Sequence, residues 1–543
     1  MIKKIKSLKY YIFMLLIGVF FLIPLFHQGF YLSHDGFAHV ARFAAYFSSF
    51  RDGQIIPRWA GGLNSGYGTP LFIFFYPLPG SLASLIHLLG FNFETVFKII
   101  IGFSFIFSSV FFFIWLKRFF KEEVAFAASV IYMVLPYKLL DIYVRGDIAE
   151  TLSFVFIPLI FLFIDKSLKD KKISSIAFGG LFYGLFVMAH NGIALIFSPM
   201  LLIYALVFAK KIKDTIYPIF LFVLGLGISA FFWLPSILEG KYTLAKVVVA
   251  NLYKINFLTI SGLFYSNWGF GPQVNVKGGL SPQIGILFAI IPLITLFIVN
   301  RFKQKKQIAF WLVVFFISAF MTTSYSKLLW EKLPLINLLG YPWRLTILSG
   351  FSSCLIIAYL LNTFKNKFFL FAITALFVIF SLPFITVAKY IPGQSDGFYF
   401  SYQGTTDYSL RTDTIWTAGE FYLPAKDKIT IIGGVGKISN LLRKSNIHTF
   451  NINGKTNLSI LDSTVYFPGW KVTVDGVKEN IQFQDMNHRG LIAFNVPSGS
   501  HKVSVRFLET PVRVISDVIS LLAILLAAAV LIFNKRINRI IHK

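Results

Sequence analysis

Ionisable side chains gather in two short polar segments of an otherwise apolar sequence. In the first segment, His39 and Arg42 follow Asp35 at helical spacing, so the three side chains are expected on one face of a helix. A carboxylate beside a cation can act as a general base on a hydroxyl group while the cation binds a phosphate. In the alternative interpretation, Asp35 or Ser33 serves only as the N-cap of that helix.

The second polar segment, residues 141–150, contains Arg145, Asp147 and Glu150. The two acids share a face if a helix begins here, and acids in a first helical turn are also ordinary complements of the helix dipole. Arg145 either binds phosphate or neutralises these acids. Carboxylates of Asp35, Asp147 and Glu150 would suit Mg²⁺ or Mn²⁺, although their spacing carries no dedicated metal motif.

Asp35, Asp147 and Glu150 are therefore the catalytic candidates. The candidates for substrate binding are His34, His39, Arg42, Arg58, Tyr143, Arg145, His190, Asn191, Glu239 and Arg344. Some of these residues have simpler explanations. A lone histidine in a turn, such as His190, is more often structural, and an arginine beside aromatic residues, such as Arg344, can simply anchor a membrane interface.

The composition indicates the kind of scaffold that positions these residues. Of 543 residues, 56% are hydrophobic and only 14% are charged, whereas soluble domains carry roughly 25% charged residues. The 64 phenylalanines exceed what one soluble core can bury. A polytopic membrane protein is predicted, and a cytosolic enzyme, a disordered scaffold and a disulfide-stapled secreted domain are excluded. Cys354 is the single cysteine, so no internal disulfide is possible.

The net charge of +27 does not indicate nucleic-acid binding, because lysines and arginines lie in short clusters between apolar stretches. Twelve transmembrane spans are predicted near 10–26, 93–116, 124–140, 151–165, 174–189, 192–209, 215–235, 284–300, 308–324, 345–361, 368–388 and 512–533. Lysine and arginine are several times denser in the short loops on one predicted side, which places both termini in the cytoplasm of a plasma-membrane protein. Prolines and a glycine interrupt residues 71–90, so a re-entrant or interfacial segment is expected there.

Three regions are expected: a transmembrane domain over 1–388, an extracytoplasmic β-sandwich over 389–511, and a last span with a basic tail over 512–543. Alternating apolar and polar residues, with Asp475-Gly476 as a hairpin turn, predict the sandwich. Charged residues are almost absent from the middles of the spans. This pattern disfavours ion-coupled transport and favours chemistry on a lipid headgroup at the outer boundary.

Several short motifs, taken in order along the chain, carry a family resemblance. They are His34-Asp35, Gly53-Gln-x-x-Pro57-Arg58-Trp59, Gly66-Tyr-Gly68-x-Pro70, Tyr76-Pro77, Arg145-Gly-x-x-x-Glu150, His190-Asn191, Pro342-Trp343-Arg344, Gly419-Glu-x-Tyr422-Leu-Pro424 and Phe467-Pro-Gly469-Trp470-x-Val-x-Val-Asp475-Gly. With them, the chain resembles the C-type (GT-C fold) superfamily of membrane glycosyltransferases. Within it, the chain is similar to membrane proteins labelled "6-pyruvoyl-tetrahydropterin synthase-related" and to YfhO-like proteins.

The resemblance implies transfer of a sugar from a polyprenyl-phosphate-linked donor to an envelope lipid, glycan or protein acceptor. It implies Asp35 as the catalytic base and an acidic partner at Asp147 or Glu150. Arg145, Arg58 or Arg344 would then hold the departing polyprenyl phosphate. A flippase or exporter of lipid-linked glycans, and a non-catalytic envelope scaffold, are the alternatives. The first loop has one acid where some superfamily members have a pair, so metal dependence stays open.

Overall fold

The computed structural model describes residues 2–333, 336–408, 410–417, 424 and 427–541. The α-helices are Ile2–Phe21, Gly36–Arg51, Leu71–Phe74, Pro77–His87, Phe93–Leu116, Glu122–Met133, Pro136–Leu140, Ile148–Asp170, Ile173–Ala189, Asn191–Phe208, Ile216–Ile228, Ala230–Glu239, Ala245–Val249, Ile260–Phe264, Ile286–Ile298, Lys305–Met321, Lys327–Lys332, Thr346–Leu361, Lys367–Ser381, Asp396–Ser401 and Pro511–Ile541. The predicted motif at 419–424 lies outside the described residues except for its proline.

A helix overlaps each of the twelve predicted spans. By length and apolar composition, six of the described helices can cross a membrane, or up to eight if each of two bent pairs is one span. The chain is thus a helical protein with several helices that are long and apolar enough to cross a membrane. A total of twelve crossings, and the side on which the termini lie, stay predictions.

One bent pair carries the second polar segment. Helix Glu122–Met133 and the segment Pro136–Arg145 meet at an angle of 42°. The break falls where Pro136 lacks an amide hydrogen and forces the preceding Leu135 out of helical geometry, with ψ at 130°. The chain then forms a π-helical turn, Asp141–Arg145, which ends at Gly146 with φ at +62°. The proline therefore sets the direction from which Arg145 enters the bundle.

The proline-broken stretch 71–90 forms two short helices, Leu71–Phe74 and Pro77–His87, with Phe75 and Tyr76 between them. The longer one packs against helix Gly36–Arg51. A Cβ at Gly80 would lie 2.8 Å from the Tyr46 ring, so only glycine allows this close approach. The sequence-based expectation of an interrupted segment is met in its local geometry.

The C-terminal region contains two antiparallel sheets that share one hydrophobic core. The strands are Ile429–Gly433, Gly436–Arg443, Ile447–Gly454, Leu458–Val465, Trp470–Val474, Val477–Glu479, Leu491–Val496 and Gly499–Phe507, and a separate two-stranded ribbon pairs Phe30–Tyr31 with Tyr390–Ile391. We number the eight sandwich strands 1 to 8 in chain order, leaving out the ribbon. The five-stranded sheet then has the order 2-3-8-5-6, and the three-stranded sheet has the order 1-4-7. Asp475 and Gly476 both have positive φ, as the predicted tight hairpin requires.

The sandwich is packed directly onto the segment between the first two predicted spans. Trp59 and Ile73 belong to the sandwich core. The Trp59 ring lies 5.3 Å from Trp470 and 5.1 Å from Phe507, measured between ring centroids. The predicted separate domain therefore shares its hydrophobic interior with the segment that carries Asp35.

Candidate active site

Backbone hydrogen bonds join the two polar segments. The amide of His34 donates to the Val144 carbonyl at 3.0 Å, and the amide of Asp35 donates to the Arg145 carbonyl at 2.7 Å. At Gly146 an added Cβ would lie 2.4 Å from the Ser33 hydroxyl oxygen, so a side chain there would push the segments apart. The structure thus brings together the two regions that the sequence marked separately.

Arg145 is the centre of the second segment. Its guanidinium contacts Asp141 at 2.6 Å, and Asp147 and Glu150 at 2.7 Å each. All four side chains are buried. Removing one partner from such a cluster costs far more than an exposed pair would, because the remaining charges cannot be solvated. Of the two roles left open by the sequence, neutralising the acids is the one that the contacts of Arg145 show.

Glu150 has both carboxylate oxygens occupied. Oε2 accepts from the Tyr137 hydroxyl at 2.7 Å and faces Arg145, while Oε1 accepts from Arg344 Nε at 2.8 Å. Asp147 is also engaged: its Oδ1 accepts from two backbone amides and caps helix Ile148–Asp170. Burial alone would raise the pKa of Asp147, but the Arg145 guanidinium lowers it below the usual range. These two acids are held ionised as partners for arginine.

Asp35 differs from both. It begins helix Gly36–Arg51, but neither it nor Ser33 caps the helix: Asp35 makes no side-chain cap bond, and the buried Ser33 hydroxyl has no partner among the described residues. Within that same part of the chain, the Asp35 carboxylate forms no hydrogen bond or ion pair. Burial and the Asp147 carboxylate raise the pKa of Asp35, against the opposing charges of Arg145 and Arg42. A partly buried carboxylate of this kind is suited to accept a proton.

Arg42 lies about two helical turns after Asp35, on the same face of helix Gly36–Arg51. Its guanidinium stacks over the Phe75 ring at 4.0 Å and donates to the Thr406 carbonyl. The buried Nε has no hydrogen-bond partner among the described residues. Arg42 therefore has one free hydrogen-bond donor, Nε, and its guanidinium lies beside Phe75 of the proline-broken stretch.

Two buried histidines face the acids. His39 Nε2 lies 4.0 Å from Asp147 Oδ1, and His190 Nε2 lies 3.7 Å from Glu150 Oε1. The Tyr76 ring stacks on His190 with centroids 4.9 Å apart. Burial lowers the pKa of His39 to about 3 and that of His190 to about 4. Both histidines are therefore neutral at physiological pH.

A metal fits this arrangement poorly. Among the described residues, Asp147, Glu150 and His190 offer ligand atoms within 4.8 Å of one another. This set contains His190 in place of Asp35, the third metal ligand suggested by the sequence. His190 Nδ1 accepts a hydrogen bond from the Ile193 amide at 3.1 Å. The proton of the neutral ring is therefore on Nε2, and that nitrogen cannot bind a cation. Arg145 already supplies positive charge to both acids.

The remaining candidates have other surroundings. His34 Nε2 contacts the Phe270 carbonyl at 2.9 Å, and the buried Tyr143 hydroxyl donates to the Phe21 carbonyl. Asn191 is exposed, and its Oδ1 accepts a hydrogen bond from the neighbouring amide of Gly192.

Arg58 and Glu239 lie in a second ionic group, which we call the latch cluster. Its members are Arg58, Glu239, Glu509, Arg513 and Asp517. Arg58 contacts Asp517 at 2.6 Å, and Arg513 contacts Glu239 at 2.9 Å. Among the described residues, neither Arg58 nor Glu239 forms an ion pair with the second polar segment, so the structure does not bring them together with Asp35.

Sequence reasoning missed three residues of the site. Asp141 lies four residues before Arg145, a spacing at which a helical ion pair could have been anticipated. Tyr137 was hidden inside a predicted span, and its approach to Glu150 depends on the bend at Pro136. Tyr76 belongs to a noted motif, but nothing in the sequence predicts that its ring stacks on His190.

Two further ionisable groups lie inside the bundle. Lys138 donates to the Ser108 hydroxyl at 2.7 Å, and Asp165 accepts from Trp115 and Tyr204. The helices are therefore less free of charge than their sequences suggested. Each group is nevertheless held by local partners rather than by a second charge, which is not the paired arrangement expected of a coupling site.

The fold and these contacts define a helical membrane protein with a buried acid–arginine centre at the end of its bundle. A family model described as "6-pyruvoyl-tetrahydropterin synthase related domain; membrane protein" matches residues 72–391. That is more than half of the chain, and the protein belongs to this family, as its motifs predicted. An uncharacterized protein of Lactococcus lactis subsp. cremoris (strain MG1363) is 23% identical over 327 residues. The match covers 57% of this chain and 52% of that relative, so the chain spans about half the length of the curated protein it matches.

Proposed function

We propose that this protein is an inverting membrane glycosyltransferase that moves a sugar from a polyprenyl-phosphate-linked donor to an envelope lipid, glycan or protein. The observation that carries the proposal is the Asp35 carboxylate, which has no partner among the described residues although it is surrounded by charged groups. Unpaired carboxylates in such places cost stability and are typical of sites that perform chemistry.

In the proposed reaction, Asp35 accepts the proton of the acceptor hydroxyl group. The hydroxyl oxygen then forms a bond to the anomeric carbon of the donor sugar. The bond from that carbon to the phosphate oxygen breaks, and its electron pair leaves with the polyprenyl phosphate. A raised pKa suits Asp35 to this role, because a stronger base accepts the proton more readily.

We assign the leaving phosphate to Arg42 in the first place. Its Nε is free, whereas Arg145 and Arg344 already hold carboxylates. The guanidinium can give charge-assisted hydrogen bonds to phosphate oxygens. Phe75, under Arg42, and its neighbours in the stretch 71–90 supply an apolar surface for the isoprenoid tail. Arg344, partly exposed, is the second candidate.

Asp147 and Glu150 have a positioning role in this scheme. They hold Arg145 and Arg344, and through the backbone bonds of Arg145 they fix the position of Asp35. The ionised Asp147 keeps a negative charge near Asp35, which favours protonation of Asp35 once the hydroxyl is bound.

The test uses the full-length protein in proteoliposomes with undecaprenyl phosphate that carries a radiolabelled hexose. An envelope extract of the producing cells serves as the acceptor. We expect label in the acceptor fraction together with release of undecaprenyl phosphate. Movement of intact donor across the bilayer without release would instead support an exporter. Neither transfer nor movement with any of several hexose donors would support a scaffold.

A further inference from the structure

A groove at the other end of the bundle from Asp35 lies between three helices, Ile2–Phe21, Glu122–Met133 and Lys367–Ser381. We call it the Lys9 groove. It has a volume of about 600 Å³, within the range of small-molecule sites. Its wall is apolar and includes Phe13, Ile17, Phe126, Val130, Phe371 and Ile379. Such a wall suits a hydrocarbon chain.

Charged residues stand at the mouth of this groove. Lys367 Nζ contacts Glu123 Oε1 at 2.6 Å, and the Lys367 side chain is 69% exposed. Lys9 Nζ lies 5.0 Å from the ring centroid of Tyr10 and has no ion pair or hydrogen bond within the described chain. Because an ammonium group has three donors, the two lysines keep most of theirs free. Glu122, whose charge also acts on Tyr10 in the groove lining, is paired with Lys117. Lys9 and Lys367 against Glu123 therefore leave the mouth positive.

The groove also opens toward the surrounding lipid. Only 22% of the apolar segment Lys367–Phe384, which contains helix Lys367–Ser381, is buried inside the protein. Phe13 and Phe371, on opposite walls, are 51% and 40% exposed. A chain from the bilayer can therefore enter sideways, with its headgroup at the level of the lysines. Basic pockets between membrane helices bind anionic phospholipids in this way.

We infer that the Lys9 groove is a binding site for one anionic phospholipid of the surrounding bilayer. The acyl chain lies along the apolar wall, and the phosphate accepts hydrogen bonds from Lys9 and Lys367. Glu123 holds Lys367 at the mouth in the absence of lipid. This inference is independent of the proposed transfer reaction.

The experiment compares lipids on the purified full-length protein by native mass spectrometry. The protein is equilibrated in detergent with dioleoylphosphatidylglycerol or with dioleoylphosphatidylcholine. We expect one tightly held phosphatidylglycerol. In the double variant Lys9→Gln/Lys367→Gln its affinity should fall about 25-fold, about fivefold for each lysine. The variant Ala375→Trp, which fills the groove without changing charge, should lose both lipids.

The matched control is Lys210→Gln/Lys303→Gln, which removes two exposed lysines from other loops on the same predicted side. Its lipid affinity should equal that of the unchanged protein. Equal binding of the two lipids by the unchanged protein would overturn the inference. So would an equal loss in the control variant, because the charge effect would then not belong to this groove. Thermal unfolding of each variant establishes that it is folded.

Discussion

Two buried ionic clusters of this protein use their charges differently. In the latch cluster, Arg58 pairs with Asp517 and Arg513 pairs with Glu239, so each arginine has a carboxylate. The cluster around Arg145, which we call the site cluster, contains Asp35, Arg42, Asp141, Arg145, Asp147, Glu150 and Arg344. Most of its members are paired as tightly, but Asp35 and Arg42 form no ion pair among the described residues. Arg42 Nε and Asp141 Oδ2 also lack a hydrogen-bond partner there.

The surroundings of the latch cluster explain its full pairing. Arg513 stacks over Phe507 at 4.7 Å and donates to the Pro468 carbonyl, both in the sandwich region. Arg58 donates to the Phe231 carbonyl at 2.6 Å. The cluster thus joins the segment before Trp59, the helix Ala230–Glu239 and the start of the last helix. Its arginines pair with carboxylates and so hold these elements together. Arg58 Nε lacks a hydrogen bond among the described residues but faces Glu509 at 3.7 Å.

The comparison shows that buried charge alone does not mark an active site. Arginine–carboxylate pairs in both clusters offset part of their own desolvation cost. The distinguishing feature is a group whose charge is buried but not paired, because only such a group has capacity left for a ligand or a proton. By that criterion Asp35 and Arg42, which form no ion pair among the described residues, are the functional candidates. Arg58 Nε also lacks a hydrogen bond there, but its guanidinium is paired with Asp517 and Glu509.

The largest effect is expected from removing the free carboxylate. Asp35→Asn should lower transfer from the polyprenyl-phosphate donor by about 10²- to 10⁴-fold, the contribution of a general base. The matched variant Asp517→Asn alters a paired acid of the latch cluster and should leave transfer within a few-fold of the original. Steady-state rates in proteoliposomes at equal protein content measure both.

Equal losses in the two variants would remove the distinction between the clusters. Thermal unfolding, followed by intrinsic tryptophan fluorescence, should show Asp35→Asn to be as stable as the original. Stability is expected to be kept because the Asp35 carboxylate has no described partner to lose.

The next effect concerns stability. Arg145→Ala leaves Asp141, Asp147 and Glu150 buried without their shared cation and should cost about 3–5 kcal/mol. Arg58→Ala should cost less, about 1–3 kcal/mol, because the side chains of Asp517 and Glu509 are 27% and 38% exposed and can be hydrated. Midpoints of thermal unfolding in detergent rank the two variants. A larger loss of stability for Arg58→Ala than for Arg145→Ala would contradict the conclusion that the site cluster is the more tightly paired of the two.

A smaller effect is expected at the second free group. Arg42→Ala should weaken use of the donor by about 1.5–3 kcal/mol, roughly 10- to 150-fold, as the loss of a hydrogen bond to a charged group does. Arg42→Lys should recover part of this loss, because an ammonium lacks the guanidinium fork. Dependence of the rate on donor concentration measures the effect. An unchanged dependence on donor concentration would indicate that Arg344, and not Arg42, binds the phosphate.

The sequence predicted the helices and the two polar segments well, for physical reasons. Apolar stretches such as 93–116 form helices wherever lipid or a large core surrounds them, and Pro136 and Pro77 interrupt helices locally. Period-two alternation likewise predicted strands such as Trp470–Val474. These signals are local, so a single sequence contains them.

The pairing of the charges was not predictable, because it depends on contacts between distant segments. Arg58 and Arg145 look alike in the sequence, each beside aromatic residues and glycines. Only the packing of Trp59 into the sandwich core carries Arg58 to the last helix. Likewise, the contact of Arg344 with Glu150 spans 194 residues and has no local signal.

The smallest effect, a shift in pH dependence, tests the coupling inside the site cluster. Asp35 must be ionised to accept a proton, so the rate of transfer should fall as the pH drops through its raised pKa. Asp147→Asn removes a negative charge that raises this pKa and leaves the positive charge of Arg145 in place. The acid limb of the rate profile should therefore move to lower pH, by about one unit or less. The fold should persist, since asparagine is as good an N-cap as aspartate and Arg145 stays paired with Asp141 and Glu150. His39 and His190 stay neutral above about pH 5 and do not contribute to the limb.

The control Asp475→Asn, in an exposed turn of the sandwich, should leave the profile in place. A limb that moves to higher pH in Asp147→Asn would show that the titrating base is not Asp35.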